Sequence, residues 1–289
     1  MKNQKIAYLY AFGTVLLWST VASAFKITLR YLDVVPLLFY SSITSTLTFL
    51  IYLIFSKKLN LFKTLTKKDF LRSALLGFLN PFLYYIILFK AYSLLPAQQA
   101  QPINFIWPIT LVLLSAPLLN QKIRPRDILA VIISFIGVFI ISTRGNLSGF
   151  KSTNPAGVLL ALSSTIIWSL FWIYNIKDER DEAIRLFLNF LFGSAFIFLS
   201  MLFFTKLKVP GLKGALGAVY IGLFEMGITF LLWLKTLKLS KTTAHVANLI
   251  FLAPFFSLGV ISIMVGEKIL LSTVIGLIFI VGGIILQKL

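Results

Sequence analysis

Gly222-Leu223-Phe224-Glu225-Met226-Gly227-Ile228-Thr229 sets one carboxylate near the middle of an apolar run from about Lys213 to Trp233, long enough to cross a bilayer. A charged side chain at that depth opposes insertion by about 2.5–3.5 kcal/mol on translocon scales, so such residues are rare and face a cavity or a partner. The pattern occurs 145 residues earlier as Gly77-Phe78-Leu79-Asn80, where Gly77 matches Gly222 and Asn80 matches Glu225. Each polar residue follows its glycine by one helical turn. The pairing implies two similar halves closing around a site that holds both positions.

Composition points the same way. Of 289 residues 58% are hydrophobic and 12% charged, with a mean hydropathy of +0.94, which leaves too little polar surface for a soluble protein of this length. The formal charge of +18 raises the question of nucleic acid. The Lys and Arg residues sit in short clusters between apolar runs, however, as membrane topology requires, and no nucleic-acid partner is expected. The chain has no cysteine, which excludes disulfides and thiol chemistry. Lys2, Lys5, the apolar run 6–17 and Ala22-Ser23-Ala24 mimic a cleavable signal peptide. The segment stays apolar up to Phe25, and its Trp18-Ser19 recurs as Trp168-Ser169, so it is read as the first span.

Ten apolar segments follow one another, at about 6–25, 34–55, 70–93, 97–118, 127–143, 155–176, 184–204, 214–234, 243–265 and 271–287. Most have the roughly 20 residues that a helix needs to cross about 30 Å of hydrocarbon. They are rich in Gly, Pro and Phe and lack period-2 alternation, which argues against a β-barrel. The expected fold is all-α and polytopic, a single membrane domain over 1–289. With the N-terminus inside, 18 of the 27 basic residues fall on the cytoplasmic side, so both termini are expected there, in the cytoplasmic (inner) membrane.

Repeat mates run along the chain: Ala11 and Trp18-Ser19 with Ala161 and Trp168-Ser169, then Gly77 and Lys90 with Gly222 and Lys235. Pro108, Lys122, Ile123 and Gly137 pair in the same way with Pro254, Lys268, Ile269 and Gly283. The halves, about 4–145 and 153–289, hold five spans each. Five is odd, so the second must lie inverted relative to the first, the architecture of secondary transporters with substrate near the midplane.

Glu225 is the strongest candidate, for substrate binding and for proton coupling. An α-helix would give it one face with Gly222 and Thr229, and it is either a proton carrier or counter-ion, or a neutral acid bonding a neighbouring helix. Asn80, followed by Pro81 and by Tyr84 at i+4, is its counterpart, and Pro81 is expected to kink the third span. The fourth span is the most polar, and Gln101, Asn104 and Pro108 share a face there. Amides in hydrocarbon need partners or a hydrated cavity, while Gln98 and Gln99 are expected at the interface. His245 shares a face with Asn248 early in the ninth span, either as a proton group or as a helix-end histidine satisfied by water. Trp18, Trp107, Trp168 and Trp172 fall inside spans, where indoles line a cavity or merely pack. Ala130 with Gly137 and Gly276 with Gly283 mark the fifth and tenth spans as tight-packing helices, within the chain or between copies. Glu267-Lys268 and Gln121-Lys122 occupy matching loop positions and read as boundary residues.

There is no Gly-rich loop ending in Gly-Lys-Ser/Thr, and one His without Cys makes no ordinary zinc site. No metal, no cofactor and no enzymatic dyad is expected. The sequence resembles the drug/metabolite transporter superfamily, in particular its EamA-type members. The carriers of that resemblance are Leu17-Trp18-Ser19-Thr20, Ile167-Trp168-Ser169, mid-span Pro108 and Pro254, and Gly266-Glu267-Lys268 with the later Gly283. Asn104-Phe105-Ile106-Trp107-Pro108 and Asn120-Gln121-Lys122 are similar to the aromatic amino-acid exporter branch. The resemblance implies ten helices in two inverted repeats around a central cavity, with spans 5 and 10 at the back. One departure stands out: that branch carries an acid in span 3, where Asn80-Pro81-Phe82 stands here, and the acid is instead Glu225 in span 8.

The expected function is export of small metabolites, amino acids among them, by alternating access. The partners are the small-molecule substrate, protons and the lipid bilayer, and the oligomeric state is monomer or homodimer. A membrane scaffold or assembly subunit is the alternative from another class, and an intramembrane lipid-modifying enzyme a third.

Overall fold

The computed structural model describes residues 3–120, 123–146, 153–205, 209–240 and 248–288. These residues fold into helices with no strand among them. In chain order we label the apolar helices α1 (Gln4–Thr28), α2 (Val34–Phe55), α3 (Lys67–Leu94), α4 (Ala97–Leu119), α5 (Pro125–Ser142), α6 (Pro155–Ile176), α7 (Glu182–Phe204), α8 (212–239), α9 (Leu249–Val265) and α10 (Leu271–Lys288). The first eight are long and apolar enough to cross a membrane, and α9 and α10 are shorter apolar helices. The protein is a multi-pass membrane protein. Polar residues mark helix starts: Asn3 accepts from the Ile6 N–H, Asn154 from that of Gly157, and Thr66 with Asp69 forms a reciprocal cap on α3.

Among the described residues four helices are not regular, and one of them, α9, opens on a 3-10 turn. In α3 the turn Phe78–Leu83 widens to the π form, and Asn80 inside it is extended (φ −149°, ψ 120°) before a cis peptide to Pro81. Proline lacks the N–H that the ladder needs, and its ring crowds the preceding turn, so the break falls where the sequence places it. In α8 the turn Gly222–Gly227 widens in the same way, without a proline. In α4 the helix stops at Asn104 and resumes at Trp107.

Two compact units can be distinguished, residues Met1–Ile86 with Glu179–Ser257 and residues Ile87–Asp178 with Leu258–Leu289. In the first unit, α2 runs along α7, with Phe49 edge-on to Phe190 and Thr46 hydrogen-bonded to Ser194 at 3.1 Å. The break in α3 rests on α7, and the widened turn of α8 rests on α2. Glycine permits both approaches. A methyl on Gly77 would run into the Asn189 carbonyl, and one on Gly222 into the Ser41 carbonyl and Thr44. The repeat mates Gly77 and Gly222 thus do the same work against α7 and α2. Helix α1 lies against α8, with Trp18 6.0 Å from Trp233, Thr20 bonded to Tyr220 at 2.7 Å, and the Asn3 N–H donating to the Leu239 carbonyl at 2.9 Å. Where the chain leaves α2 and enters α7, Lys58 pairs with Asp181 at 2.6 Å, and Arg180 donates to the Asp69 carbonyl and to Ser73, both at 2.9 Å.

In the second unit α5 and α10 pack antiparallel at backbone distance. A methyl on Gly137 would strike the Gly276 carbonyl, and one on Gly276 the Gly137 carbonyl at 2.6 Å. One on Gly283 would meet the Ala130 carbonyl at 2.7 Å, and midway Ser134 donates to the Ile280 carbonyl at 3.3 Å. The small residues of both helices are therefore engaged inside one chain. Of the two possibilities the sequence leaves open, the structure shows packing within the molecule.

Candidate functional sites in the two units

In the first unit Glu225 is half-buried on the widened turn of α8, and the Tyr85 phenol donates to its Oε1 at 3.1 Å. Tyr85 is fully buried and stands edge-on to Tyr84, ring centres 4.7 Å apart. The sequence reading singles out Tyr84, four residues after Asn80, whereas the residue that reaches Glu225 is Tyr85, at the fifth. A π turn holds one residue more than an α turn and advances the register by one, which an α-helical count cannot show. The same shift accounts for Thr229. Its hydroxyl donates to the Phe224 carbonyl five residues back, and the residue is fully buried. Thr229 therefore secures the widened turn instead of standing beside Glu225 as an open polar group.

Asn80 is fully buried, and neither end of its amide finds a hydrogen-bond partner among the described residues. The same is true of Asn189, which lies where α7 meets Gly77 and which sequence reasoning misses. An unsatisfied buried amide costs about 1–3 kcal/mol per group, so two in one helix contact are an exception to ordinary packing. Trp18 pairs with Trp233 rather than standing alone as a wall. Asn248 opens a short 3-10 turn, Asn248–Leu252, that leads into the rest of α9, and His245 lies outside the described residues.

The second unit holds the polar residues of α4. Around its break, α6 supplies the missing partners: Asn104 donates to Ser164 at 2.8 Å, Thr110 bonds Thr165 at 2.9 Å, and Ser169 donates to the Trp107 carbonyl at 3.1 Å. Trp107 stands edge-on to Trp168 at 6.5 Å, and Trp168 to Trp172 at 5.8 Å. The structure thus brings Asn104, Trp107 and Trp168 together on α4 and α6, but one end of the Asn104 amide is already bonded to α6. Gln101 is different: it is half-buried, and its carbonyl oxygen has no hydrogen-bond partner among the described residues.

Gln98 and Gln99, which the sequence places at the interface, are buried inside the protein. The Gln98 amide donates to the Lys268 carbonyl at 2.8 Å and accepts from the Leu270 N–H at 3.0 Å and from Thr273 at 3.1 Å. Glu267 accepts from the N–H groups of Ala97 and Gln98, at 2.8 and 3.1 Å. A carboxylate there satisfies two of the orphan donors at a helix start and complements its dipole. Glu267 is thus an anchor for α4 and more than a loop boundary. The one available signal, its repeat relation to Gln121-Lys122, does not reveal a partner so far along the chain. Among the described residues no group of three or more His, Cys, Asp and Glu is placed to hold a metal ion.

The EamA-like transporter family matches this chain twice, over residues 5–143 and 155–287. The chain belongs to that family. An uncharacterized transporter of Bacillus subtilis (strain 168), YvbV, is 30% identical over 72% of this chain and 68% of its own length. An uncharacterized transporter of Clostridium kluyveri is 28% identical over 59% of this chain and 56% of its own length. The aromatic amino acid exporter YddG of Ancylobacter novellus is 27% identical over 52% of this chain and 53% of its own length. With these last two, the chain aligns to little more than half of each relative. A solved crystal structure superposes with a TM-score of 0.66 over 98% of this chain and 96% of its own, at 22% identity, a likeness of fold alone.

Proposed function

We propose that this EamA-family transporter exports small metabolites, amino acids being the first class to assay, across the cytoplasmic membrane by alternating access. In this reading the chain forms one membrane domain of ten spans, in two inverted halves of about 4–145 and 153–289, with both termini cytoplasmic. Three observations support the two-fold repeat. The family matches each half separately. The mates Gly77 and Gly222 begin equivalent close contacts, each beside a widened turn. On α5 and α10 the contact of Gly137 with Gly276 exchanges with that of Gly283 with Ala130 when the halves are interchanged, as a two-fold relation requires.

The observation that carries the reading is Glu225. It is a mid-span carboxylate, half-buried, oriented by one phenol and built on a helix turn of irregular geometry. Intramembrane acids of this kind mark substrate or proton pathways. We assign Glu225 as the substrate-amine or proton site, with Tyr85 orienting it and Asn80, Tyr84 and Trp18 as supporting groups of the same unit. In the other unit Gln101, with Asn104, Trp107 and Trp168, is the candidate contact. The amino-acid class rests on the printed name of YddG and is an assignment by kinship. Purified protein in liposomes, loaded with an amino-acid and metabolite panel and assayed by counterflow with and without a pH gradient, tests it. Wild type should exchange at least one solute, and Glu225→Gln should abolish exchange while retaining a monodisperse, folded profile. Wild-type exchange by the variant at every pH removes Glu225 from the mechanism.

A further inference from the structure

Among the described residues of its unit, Glu225 has a partner in Tyr85 and no ion pair with a Lys or Arg. Helix α2, which packs on the widened turn, carries no charged residue between 34 and 55, and its titratable groups are Tyr40 and Tyr52. On α1 the cations are Lys5 and Lys26, near its two ends, and the phenols Tyr8 and Tyr10 lie toward its start. On α8 itself Lys213 and Lys235 are 12 and 10 residues away, about 15 Å or more along the axis. In this unit α3 adds Lys67, Lys68, Asp69 and Arg72 in its first two turns, and Tyr84 and Tyr85 beyond the break. Helix α7 adds Glu182 and Arg185 in its first turn, far from α8's mid-span in sequence depth.

A half-buried carboxylate in low dielectric, with one hydrogen bond and no counter-ion, gains most from a ligand that brings the positive charge. An ammonium does so with three donors, and the Tyr85 ring beside the acid, with Tyr84 edge-on to it, suits a cationic head further. A zwitterionic amino acid brings a carboxylate as well, and in the described helices of this unit every Lys and Arg stands near a helix end. Resting on the transporter reading above, we propose that the Glu225 site selects amines without a carboxylate over the amino acids that share their side chains. Organic monocations and dications are thus its preferred cargo.

Matched pairs differing only by the carboxylate test this: tryptamine against tryptophan by thermal-shift binding, and agmatine against arginine by binding and by liposome counterflow. The guanidinium keeps agmatine from leaking as a neutral species. The amine of each pair should bind roughly tenfold tighter or better, and agmatine should exchange faster than arginine. Glu225→Gln should erase the preference. Should that variant fail to fold, Glu225→Asp, which keeps the charge, should retain the preference with weaker binding. Equal binding of both members, or a preference that survives Glu225→Gln, overturns the selection while leaving transport of the wider panel intact. Exchange of panel solutes with no binding of any pair overturns it too, and absence of exchange and binding throughout overturns the transporter reading along with it.

Discussion

Replacing Glu267 by alanine should cost the protein a measurable share of its stability, and the coordinates allow the loss to be sized. The carboxylate receives the Ala97 N–H at 2.8 Å and the Gln98 N–H at 3.1 Å, both unpaired donors at the start of α4. Gly266, whose φ of +78° lies in the left-handed region that glycine tolerates, turns the chain immediately before it. Removing a helix-start acceptor costs about 0.5–2 kcal/mol, and loss of a charge at that end of the dipole adds about 0.3–1 kcal/mol. Glu267 is half-buried, so water replaces it incompletely. A net loss of about 0.8–3 kcal/mol follows, which at roughly 2–4 °C per kcal/mol for a chain of this size lowers Tm by about 2–12 °C. Intrinsic tryptophan fluorescence during heating in detergent reads it. Glu267→Gln keeps an acceptor and should lose about half as much. Gln98→Ala should also destabilise, and the double variant should lose less than the sum, because both side chains tie α4 to the same stretch before α10. A melting point for Glu267→Ala within about 1 °C of wild type, or strict additivity in the cycle, refutes the clamp.

Two further outcomes follow from contacts already described. Gly137→Leu should lower the melting point more than any surface change, by about 3 kcal/mol or more, since the side chain must part α5 from the Gly276 carbonyl; a melt within 1 °C of wild type would contradict that packing. At Asp181 burial alone would raise the carboxyl, but the Lys58 ammonium and the Ala183 N–H outweigh it and hold the group below its ordinary value. Its stabilising contribution is therefore complete above the ordinary carboxylate range near pH 4 and is lost as pH falls through the lower, folded value. Lys58→Ala should weaken that acid-limb dependence in melts between about pH 3 and 6, and an unchanged profile would remove the pair from it.

The sequence shows the helices because each apolar run is long and the bilayer fixes the length required. It shows the contact of α5 with α10 because small residues one heptad apart, Ala130 with Gly137 and Gly276 with Gly283, have one frequent use in a membrane, close approach. It hides what depends on local register. Tyr85 is invisible to an i+4 count because the turn at Asn80 widens, and Thr229 looks free until the same widening returns its hydroxyl to Phe224. It also hides partners distant in the chain. Ser164, Thr165 and Ser169 read as ordinary small residues of α6, yet they bond Asn104, Thr110 and the Trp107 carbonyl beside the break in α4, and Gln98 shows no partner until the stretch before α10 is folded against it.

The two halves agree in backbone and disagree in charge, and the disagreement carries the functional information. Gly77 and Gly222 make equivalent approaches, to α7 and to α2, and each is followed by a widened turn. A carboxylate at both mates would set two like charges inside one unit, where each would oppose ionisation of the other. The chain keeps the geometry twice and the acid once. At Asn80 the amide is sealed in and unpartnered, while at Glu225 the group is half-buried and held by Tyr85. Of the two mates, Glu225 alone carries a charge, and in the proposed function that charge meets the proton or the ammonium. Duplicated architecture need not mean duplicated chemistry, and here the second half carries the charge.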